Sequence, residues 1–468
     1  MKSYKFEIFT FDIEKNIRDG IYKPGHRLPS VRDLQKQYST SISTIQNGYE
    51  HLIILGLVIS VPKSGYYVAT TVNQQTENTL EYPPVVRDAI FEKNIELITS
   101  TRGEKKLVEF NVATPGDLIV SQKLLLRTMQ NIIREKGAGL LRYYPTNGLQ
   151  ELKDNIIKHA AGYQTRINTQ ELLITDGALQ ALYIALSAIC VTGDVVAVES
   201  PCVFSILEVI RVLDLKVIEV PVDLVNGFDV DFFKKACLKN KIKAVIITPN
   251  FHNPTGILLS DEIKKELIKV IQQHDVAVIE NDIYGDLNFS GKRPSTLRSY
   301  DETGLVVTYS SYAKTLAPGI RLGWLATGRF LKQSEQIKFS MGSTVSPIYQ
   351  ETVNRLLETS SYERHIRAFR MQLAKNAYFT INLLAEHFPN GTFVVPPSGG
   401  YNLWVKLPNN IDIKKFYHQC ERIGIKFTPG QTFSFSTMFA NHFRLVFADK
   451  YSTVKIKSLE HVGKLISH

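Results

Sequence analysis

The chain contains 468 residues, more than one hydrophobic core usually organises, and this length predicts two or three domains. Its apolar fraction of 44% with 21% charged residues excludes a disordered chain and a fibre. Lys and Arg number 55 against 45 Asp and Glu, and the net charge of +10 permits a polyanionic partner without requiring one.

The cysteines and the first residues indicate the compartment. The four cysteines lack CxxC or His spacing, which argues against a disulfide framework and against a metal site. The start, MKSYKFEIFTFDIEK, brings acidic residues too early for a signal peptide, and no run reaches the ~18 consecutive apolar residues of a membrane span. We therefore expect a cytoplasmic protein without membrane association and without a bound metal.

Two helices are predicted at the start of the chain. Ile13, Ile17 and Ile21 recur at helical spacing and form one apolar stripe. After Pro29, Ser30 followed by Asp33 has the spacing of a capping box, which predicts that a second, short helix begins there.

A third helix and a hairpin complete this segment. The helix is predicted from about Ser41 to Leu55, with Ile45, Tyr49 and Leu52 facing inward and polar side chains facing outward. The run LVISVPKSGYYVA then gives two short strands around a Pro-Lys-Ser-Gly turn. Three helices followed by a hairpin are typical of a winged helix-turn-helix domain.

The composition changes after this domain. The polar, poorly periodic run VNQQTENTLEYPP ends in Pro-Pro, as a linker does. We therefore predict an N-terminal domain over residues 1–72, a linker over 73–106 and a large domain over 107–468.

The large domain alternates apolar strands with helical stretches. Its clearest strands are DVVAVE (Asp194–Glu199), KAVIIT (Lys243–Thr248), VAVIE (Val276–Glu280) and LVVTYS (Leu305–Ser310). Continuous apolar strands predict a buried, mostly parallel sheet with helices on both faces, hence an α/β fold. From about residue 399, YNLWVKL and HFRLVFA mix with amphipathic helices, which predicts a small α+β C-terminal lobe.

One lysine follows a predicted buried strand, in SSYAKTLAPGIRLGW. Burial there would lower the pKa of Lys314, and an unprotonated amine can form a Schiff base. Ser311 and Arg321 flank it and suit a phosphate, one as a hydroxyl donor and the other as a planar fork. Taken alone, the lysine and the arginine also fit a surface loop and a salt bridge.

Three further segments carry polar groups that suit a pyridine cofactor. In ENDIYGDL, Asp282 could hold a ring nitrogen protonated while Tyr284, two residues on, reaches a ring oxygen. In PNFHNPTG, Asn253 could reach the same oxygen, although Asn-Pro is also an ordinary turn. In LLITDGALQALYIAL, the amides of Ala178 and Leu179 would open a helix toward an anion.

The order and spacing of these segments match a family. From Tyr143 to the C-terminus, the motifs YYPTNGLQELKDNI, TDGALQAL, PNFHNPTG, ENDIYG, SSYAKTLAPGIRLGW, PPSGGYNLW and FRLVFA resemble fold type I, class I aminotransferases that use pyridoxal phosphate (PLP). The N-terminal segment, with YKPGHRLPSVRDL and SGYYVA, resembles the GntR winged helix-turn-helix. Together they resemble the MocR subfamily of bacterial transcription regulators.

The aminotransferase resemblance implies a set of cofactor contacts. Lys314 would hold PLP as an aldimine, Asp282 would pair with the pyridine nitrogen, and Asn253 and Tyr284 would contact the ring oxygen. The phosphate would be bound by Ser311, Arg321, the amides of Ala178 and Leu179, and Tyr143 of a neighbouring subunit, which implies a homodimer with shared sites.

The same resemblance implies a ligand contact and exposes one departure. Arg444 in FRLVFA matches the arginine that binds a substrate carboxylate, although a lone arginine is also often part of a salt bridge. The aromatic residue that stacks on the ring in the family falls at Val203, with Phe204 next to it. Either Phe204 takes its place or the stacking is weakened.

The GntR resemblance implies double-stranded DNA as a partner. The contact residues would be Arg32, Ser41, Ser43, Thr44, Gln46 and Asn47 in the major groove, with Lys63 at the wing tip on phosphate or the minor groove. The third helix lacks the arginine that many relatives carry near its start. Over residues 1–72, nine Lys and Arg stand against six Asp and Glu, so the helix pattern and not the charge indicates DNA.

Two functions remain open at this point. In the first, the chain is a PLP-dependent transcription regulator that senses a small amine or amino acid through aldimine exchange at Lys314. In the second, it is an active aminotransferase with an accessory DNA-binding head, in which Lys314 is the catalytic base. We favour the regulator because a GntR-like head gives an aminotransferase no evident advantage.

Overall fold

The computed structural model describes residues 5–70, 82–90, 108–115, 118, 122–342, 344–436 and 438–466. Both predicted domain boundaries, and the predicted linker apart from residues 82–90, lie outside the described residues. None of the described helices is long and apolar enough to cross a membrane.

The N-terminal head has the predicted order of elements. It consists of α1 (Lys5–Arg18), α2 (Val31–Gln37), α3 (Ile42–Ile54), β1 (Val58–Val61) and β2 (Gly65–Val68). Ser30 and Asp33 form the predicted capping box at the start of α2, and the Ser41 hydroxyl accepts the Thr44 amide at the start of α3. The strands β1 and β2 pair antiparallel, so the winged helix-turn-helix prediction is confirmed.

The core of the head explains this order. Phe9 of α1 packs directly on Gly48 of α3, where a Cβ atom would lie 2.0 Å from the ring, so the two helices approach closely. Tyr49 and Leu52 fill the rest of the core as expected. Ile21 departs from the prediction: α1 ends at Arg18, and Ile21 is 61% exposed.

The large domain is built on a nine-stranded sheet. Its strands are β3 (Arg87–Asp88), β5 (Leu172–Thr175), β6 (Val195–Ser200), β7 (Lys216–Asp223), β8 (Gly227–Phe228), β9 (Ile242–Ile247), β10 (Ala277–Asn281), β11 (Val306–Ser311) and β12 (Gly323–Ala326). The order is β3-β7-β6-β9-β10-β11-β12-β5, with β8 paired to β7. The five central strands, in the order β7, β6, β9, β10 and β11, are parallel to one another. The other four strands pair antiparallel: β3 and β8 with β7, β12 with β11, and β5 with β12.

Helices cover both faces of this sheet, and neighbouring strand residues show why. Val196 and Val198 of β6 belong to one buried cluster, and Ala197 between them belongs to another on the opposite face. The helices are α4 (Gln122–Lys136), α5 (Gln150–Ala161), α6 (Gly177–Ile189), α7 (Phe204–Val212), α8 (Val230–Lys239), α9 (Asp261–His274), α10 (Leu331–Ser340), α11 (Pro347–Glu358) and α12 (Ser361–His387). The predicted α/β fold is confirmed.

The C-terminal lobe is small and mixed, as predicted. Its elements are β13 (Phe393–Val394), β14 (Asn402–Lys406), α13 (Ile413–Arg422), β15 (Ile425–Lys426), β16 (Thr428–Pro429), β17 (His442–Val446) and α14 (Thr453–Ile466). Four strands form an antiparallel sheet in the order β13-β14-β17-β16, and β15 pairs with β4 (Val108–Glu109). This lobe carries Arg444 on a central strand, facing the large domain.

The head rests on the 27-residue helix α12 of the large domain. Lys375 forms an ion pair with Glu50 at 2.9 Å, and the Tyr378 hydroxyl donates to the Ile54 carbonyl at 3.2 Å. The Thr70 amide donates to the Asn382 side chain at 3.1 Å. The C-terminal end of α3 therefore contacts the large domain, while its N-terminal end projects away from these contacts.

Candidate functional site

The parallel strands bring several predicted residues to one edge of the sheet. Asn253, Tyr284 and Lys314 follow β9, β10 and β11, and the carboxyl ends of parallel strands share one side. A cavity of about 390 Å³ lies there, closed on one side by Arg444 of the small lobe. Its walls include the predicted residues Asn253, Tyr284, Ser311, Lys314, Arg321, Ala178, Leu179, Phe204 and Arg444.

Lys314 reaches this cavity from the turn after β11. Its Nζ donates to the Ala113 carbonyl. Burial, together with the positive charges of Arg444 and Arg321, lowers the pKa of Lys314 to about 8. An amine with this pKa is neutral far more often near neutral pH than an exposed lysine, and only the neutral amine is a nucleophile.

Polar contacts link the small lobe to the wall of the cavity. Arg444 Nη1 donates to Asn253 Oδ1 at 3.0 Å, and the Asn253 amide donates to the Tyr284 hydroxyl at 3.3 Å. Arg444 Nη2 donates to the Asn111 carbonyl at 2.6 Å, while its buried Nε has no hydrogen-bond partner among the described residues. Burial lowers the pKa of Arg444 to about 10.

Asp282 lies behind the cavity wall and not in it. The side chain is 1% exposed, and Asn250 donates to Oδ1 at 2.9 Å. Arg293 donates to Oδ2 at 2.5 Å, so the carboxylate is held by one amide and one guanidinium. Asp282 and Tyr284 therefore do not present their polar atoms to the same space.

The predicted anion contacts meet at the start of α6. Gly177 has φ +81, and a Cβ atom on it would lie 2.9 Å from Arg321 Nη2, so the arginine packs on the helix start. Arg321 Nη2 donates to the Asp176 carbonyl at 3.2 Å. The Ser311 hydroxyl instead donates to the Leu322 carbonyl at 3.0 Å and accepts the Ala313 amide.

The remaining predicted contacts differ in where they lie. Val203 and Phe204 both line the cavity, and the Phe204 ring centroid lies 5.8 Å from the Arg444 guanidinium carbon. Tyr143 does not line it: this side chain is 89% exposed on the segment before α5.

All but one of the predicted DNA-contact residues are exposed on the head. Arg32, Ser43, Gln46 and Asn47 are exposed and Thr44 is half-buried, and Lys63 is exposed in the β1–β2 turn with φ +63. The Ser41 hydroxyl is engaged locally, since it lies 2.8 Å from the hydroxyls of Ser43 and Thr44 as well as capping α3. Ser41 therefore stabilises the start of α3 in addition to lying on the exposed surface.

Sequence reasoning missed several residues around the cavity. Asn250 lies inside the recognised segment PNFHNPTG, and its place at the end of β9 could have indicated a polar role. Arg293 and Asn111 carry no such signal, because they reach the site from loops distant in the chain.

The fold and site define a class: a fold type I domain with a lysine after a parallel strand, joined to a winged helix-turn-helix head. The aminotransferase class I and II family matches residues 113–456, and the gntR family of bacterial regulatory proteins matches residues 11–68. The chain therefore belongs to the class I and II aminotransferase family and carries a GntR head, the arrangement of MocR proteins.

Two transcriptional regulators align with most of the chain. The uncharacterized HTH-type transcriptional regulator YjiR of Escherichia coli (strain K12) is 30% identical over 462 residues, 97% of each chain. The HTH-type transcriptional regulator NorG of Staphylococcus aureus (strain USA300) is 28% identical over 86% of this chain and 92% of its own. Among solved structures, Pyrococcus horikoshii kynurenine aminotransferase has a TM-score of 0.73 and 26% identity over 81% of this chain and 94% of its own.

Proposed function

We propose that this chain is a PLP-dependent, DNA-binding transcription regulator whose aminotransferase-like domain senses a small amine or amino acid at Lys314. The observation that carries the proposal is the contact between the head and α12, which joins an exposed recognition helix to the domain that holds the lysine cavity. The names of YjiR and NorG as transcriptional regulators support it.

The residues around the cavity fit PLP. Lys314 supplies an amine of lowered pKa, and the start of α6 at Gly177, against which Arg321 packs, combines a helix N-terminus with a cation, as an anion requires. The structure of the kynurenine aminotransferase contains PMP, and that of Thermus thermophilus LysN contains a phosphopyridoxyl group. We assign the cofactor contacts to Lys314, Asn253, Tyr284, Ser311, Arg321, Phe204, the amides of Ala178 and Leu179, and Tyr143 of a second subunit. Asp282 is the predicted partner of the pyridine nitrogen, but its carboxylate is paired with Arg293 and does not line the cavity.

The bound cofactor would supply an aldehyde carbon at which one primary amine replaces another without net oxidation. Lys314 would occupy that position at rest, and an incoming amine that took its place would leave Lys314 as a free amine. Asn253 and Tyr284 would orient the ring, and Ser311 and Arg321 would hold the phosphate. Ligand exchange would therefore change the partner of one lysine in this cavity.

Arg444 indicates the class of effector. The guanidinium is buried at 2% exposure, and its Nε has no partner among the described residues, so the fork has capacity for a further acceptor. A carboxylate matches the fork geometry of arginine. An amino acid or a similar molecule would join the amine site at Lys314 to the carboxylate site at Arg444, drawing the small lobe toward the large domain.

The test combines DNA and cofactor measurements on the full-length protein. A DNA duplex selected by the protein from a random pool serves as the operator, and amines and amino acids are screened for a change in cofactor absorbance together with operator affinity. Lys314→Ala should keep basal DNA affinity and lose the ligand response, whereas Lys332→Ala, an exposed lysine, should keep both. An unchanged response in Lys314→Ala would refute the sensor.

DNA binding itself is tested on the head. Asn47→Ala should weaken operator binding and relax its sequence preference, because Asn reads base edges. Lys63→Ala should weaken binding to all sequences and reduce the salt slope by about 1. Lys239→Ala, an exposed charge change on α8, is the control; equal effects in all three variants would exclude the head as the DNA-binding surface.

The second candidate is an active aminotransferase with a DNA-binding head. The pKa of Lys314, lowered to about 8, favours it, because a neutral lysine amine can also serve as a general base. Steady multiple turnovers with an amino donor and a keto acid would support the enzyme, and a spectral change without turnover would support the sensor.

A further inference from the structure

An asparagine lines the cavity at the end of the central strand β10. Asn281 is the last residue of this strand, and its side chain lies in the cavity wall with 6% of the residue exposed. Asp282 follows it and points the other way, because successive side chains of an extended chain alternate. Arg293 and Asn250 hold the Asp282 carboxylate behind the wall. At this strand end the cavity therefore meets an amide and not a carboxylate.

One hydrogen bond identifies which end of this amide is available. The Ile283 backbone amide donates to Asn281 Oδ1 at 3.3 Å. Because a backbone N–H can only donate, the side-chain atom that receives it is the oxygen, and the nitrogen is at the other end. Nδ2 has no hydrogen-bond partner among the described residues. Asn281 therefore offers a hydrogen-bond donor to whatever occupies the cavity.

The charges around the cavity act in the same direction. Lys314, Arg321 and Arg444 line it, and none of the described lining residues is Asp or Glu. Tyr309, the register partner of Asn281 on β11, also lines it, and burial raises the pKa of this phenol well above its ordinary value, so the side chain is neutral. Nearby positive charges disfavour the protonated form of a base. A basic nitrogen in this cavity is therefore stabilised in its neutral form.

The ring nitrogen of PLP is the polar group that the other contacts leave without a partner. It lies across the ring from the aldehyde carbon, whereas the ring oxygen and the phosphate arm stand on the two carbons beside that aldehyde. Lys314, Tyr284 and Arg321 are assigned to those three groups. We infer that Asn281 is the neighbour of the ring nitrogen and donates a hydrogen bond to it, so that this nitrogen is bound without a proton.

This assignment bears on what the domain does, and it rests on the proposed PLP site. A protonated ring nitrogen makes PLP a strong electron sink, which removal of a proton from a bound amino acid requires. Replacement of one amine by another at the aldehyde carbon requires no such sink, because no carbon-bound proton leaves. An amide at Asn281 in place of a carboxylate therefore supports the sensor over the active aminotransferase.

The experiment uses the full-length protein and PLP labelled with nitrogen-15 in the ring. The nitrogen NMR signal of the bound cofactor reports whether the ring nitrogen is protonated, which a residue with only a structural role would not change. Asn281→Asp exchanges the donor for a carboxylate of nearly the same size, and Asn410→Asp makes the same charge change at an exposed asparagine. Asn281→Ala removes the donor without adding charge. The equilibrium Kd for PLP is measured for each protein.

We expect the unprotonated signal in the wild type and in Asn410→Asp near neutral pH. Asn281→Asp should show the protonated signal, because a carboxylate beside a base raises the pKa of that base by about 1–3. Asn281→Ala should keep the unprotonated signal and raise the Kd for PLP by about two- to tenfold, since one hydrogen bond is lost.

Three results would overturn the inference: a protonated signal in the wild type, an unprotonated signal in Asn281→Asp with PLP bound, or an unchanged Kd in Asn281→Ala. If Asn281→Asp does not fold, the wild-type signal and Asn281→Ala decide. Failure of the proposed function looks different, because a wild-type chain that does not bind PLP would refute that function itself. A wild type that binds PLP with a protonated ring nitrogen would refute only the role of Asn281.

Discussion

At the scale of single residues, the pKa of Lys314 gives a pH-dependent prediction. Its folded value of about 8 lies below the ordinary 10.5, so the neutral amine accumulates as pH rises through 8. At pH 7 about one amine in ten is neutral. The rate of PLP capture by the cofactor-free protein should therefore rise up to about pH 8 and level off above it, as measured by stopped-flow absorbance. Free lysine, assayed in parallel, should keep rising toward pH 10; the same continued rise in the protein would contradict the prediction.

Gly177 gives a second prediction at this scale. Its φ of +81 costs a residue with a Cβ atom about 1–2 kcal/mol, and the added methyl group would meet Arg321 at 2.9 Å. Gly177→Ala should therefore raise the Kd for PLP by tenfold or more and displace Arg321 from the start of α6. Gly139→Ala is a matched control, because Gly139 is exposed, has no positive φ and would have no neighbour within 4 Å of its Cβ. Equal PLP affinity in the two variants would show that the start of α6 does not bind the phosphate.

What the sequence predicts at a site depends on how local the signal is. One segment of eleven residues contains Ser311, Lys314 and Arg321, so their spacing could be recognised in the sequence. The structure brings all three to the same cavity. The sequence identified Asp282 as a candidate site residue but did not predict where its side chain lies. That position, behind the cavity wall, depends on contacts with Asn250 and Arg293. Contacts between distant loops depend on how the folded chain packs. They produce no periodic pattern in the sequence from which they could be predicted.

At the scale of elements, α12 is the link between the two domains. Near its start, Tyr362 and Arg370 contact Asp286 behind the cavity, and further along it Lys375 and Tyr378 contact the head. A shift of α12 would therefore move both the residues behind the cavity and the residues that contact the head. The helical periods and the strand positions were predictable from apolar patterns, but this docking was not, because the contacting residues are mixed polar and aromatic.

Tyr378→Ala tests this link. The variant loses the hydrogen bond to the Ile54 carbonyl and the packing of the ring on Gly56, which should loosen the head from α12. We expect basal operator affinity within about threefold of the wild type but a much smaller effect of the effector, together with faster hydrogen exchange in α3 and β1. Tyr378→Phe keeps the ring, so its effector response should lie between those of the wild type and Tyr378→Ala. Normal effector response in Tyr378→Ala, with faster exchange, would exclude this contact as the route of coupling.

At the scale of the whole molecule, the proposed homodimer connects the two kinds of site. Leu141 is 88% exposed and Tyr143 is 89% exposed on the same segment, and α4 nearby exposes Leu126 and Ile133. Such a cluster of exposed apolar side chains is typical of an interface. A second subunit on this surface would cover the cluster and bring Tyr143 toward the neighbouring cavity. Two heads in one dimer would also bind two half-sites together, which raises operator affinity without any new contact.

Leu141→Asp should therefore separate the subunits and weaken both PLP and operator binding. A charge placed in an apolar interface has no partner there, whereas Val191→Asp places the same charge on a side chain that is 71% exposed at the end of α6. Sedimentation analysis should give a dimer for the wild type and for Val191→Asp, and a monomer for Leu141→Asp. Tyr143→Ala should remain a dimer and lose only PLP affinity, because its hydroxyl would reach the phosphate of the neighbouring subunit. A wild-type monomer, or a Leu141→Asp monomer with unchanged PLP affinity, would rule out shared sites and place each cavity within a single chain.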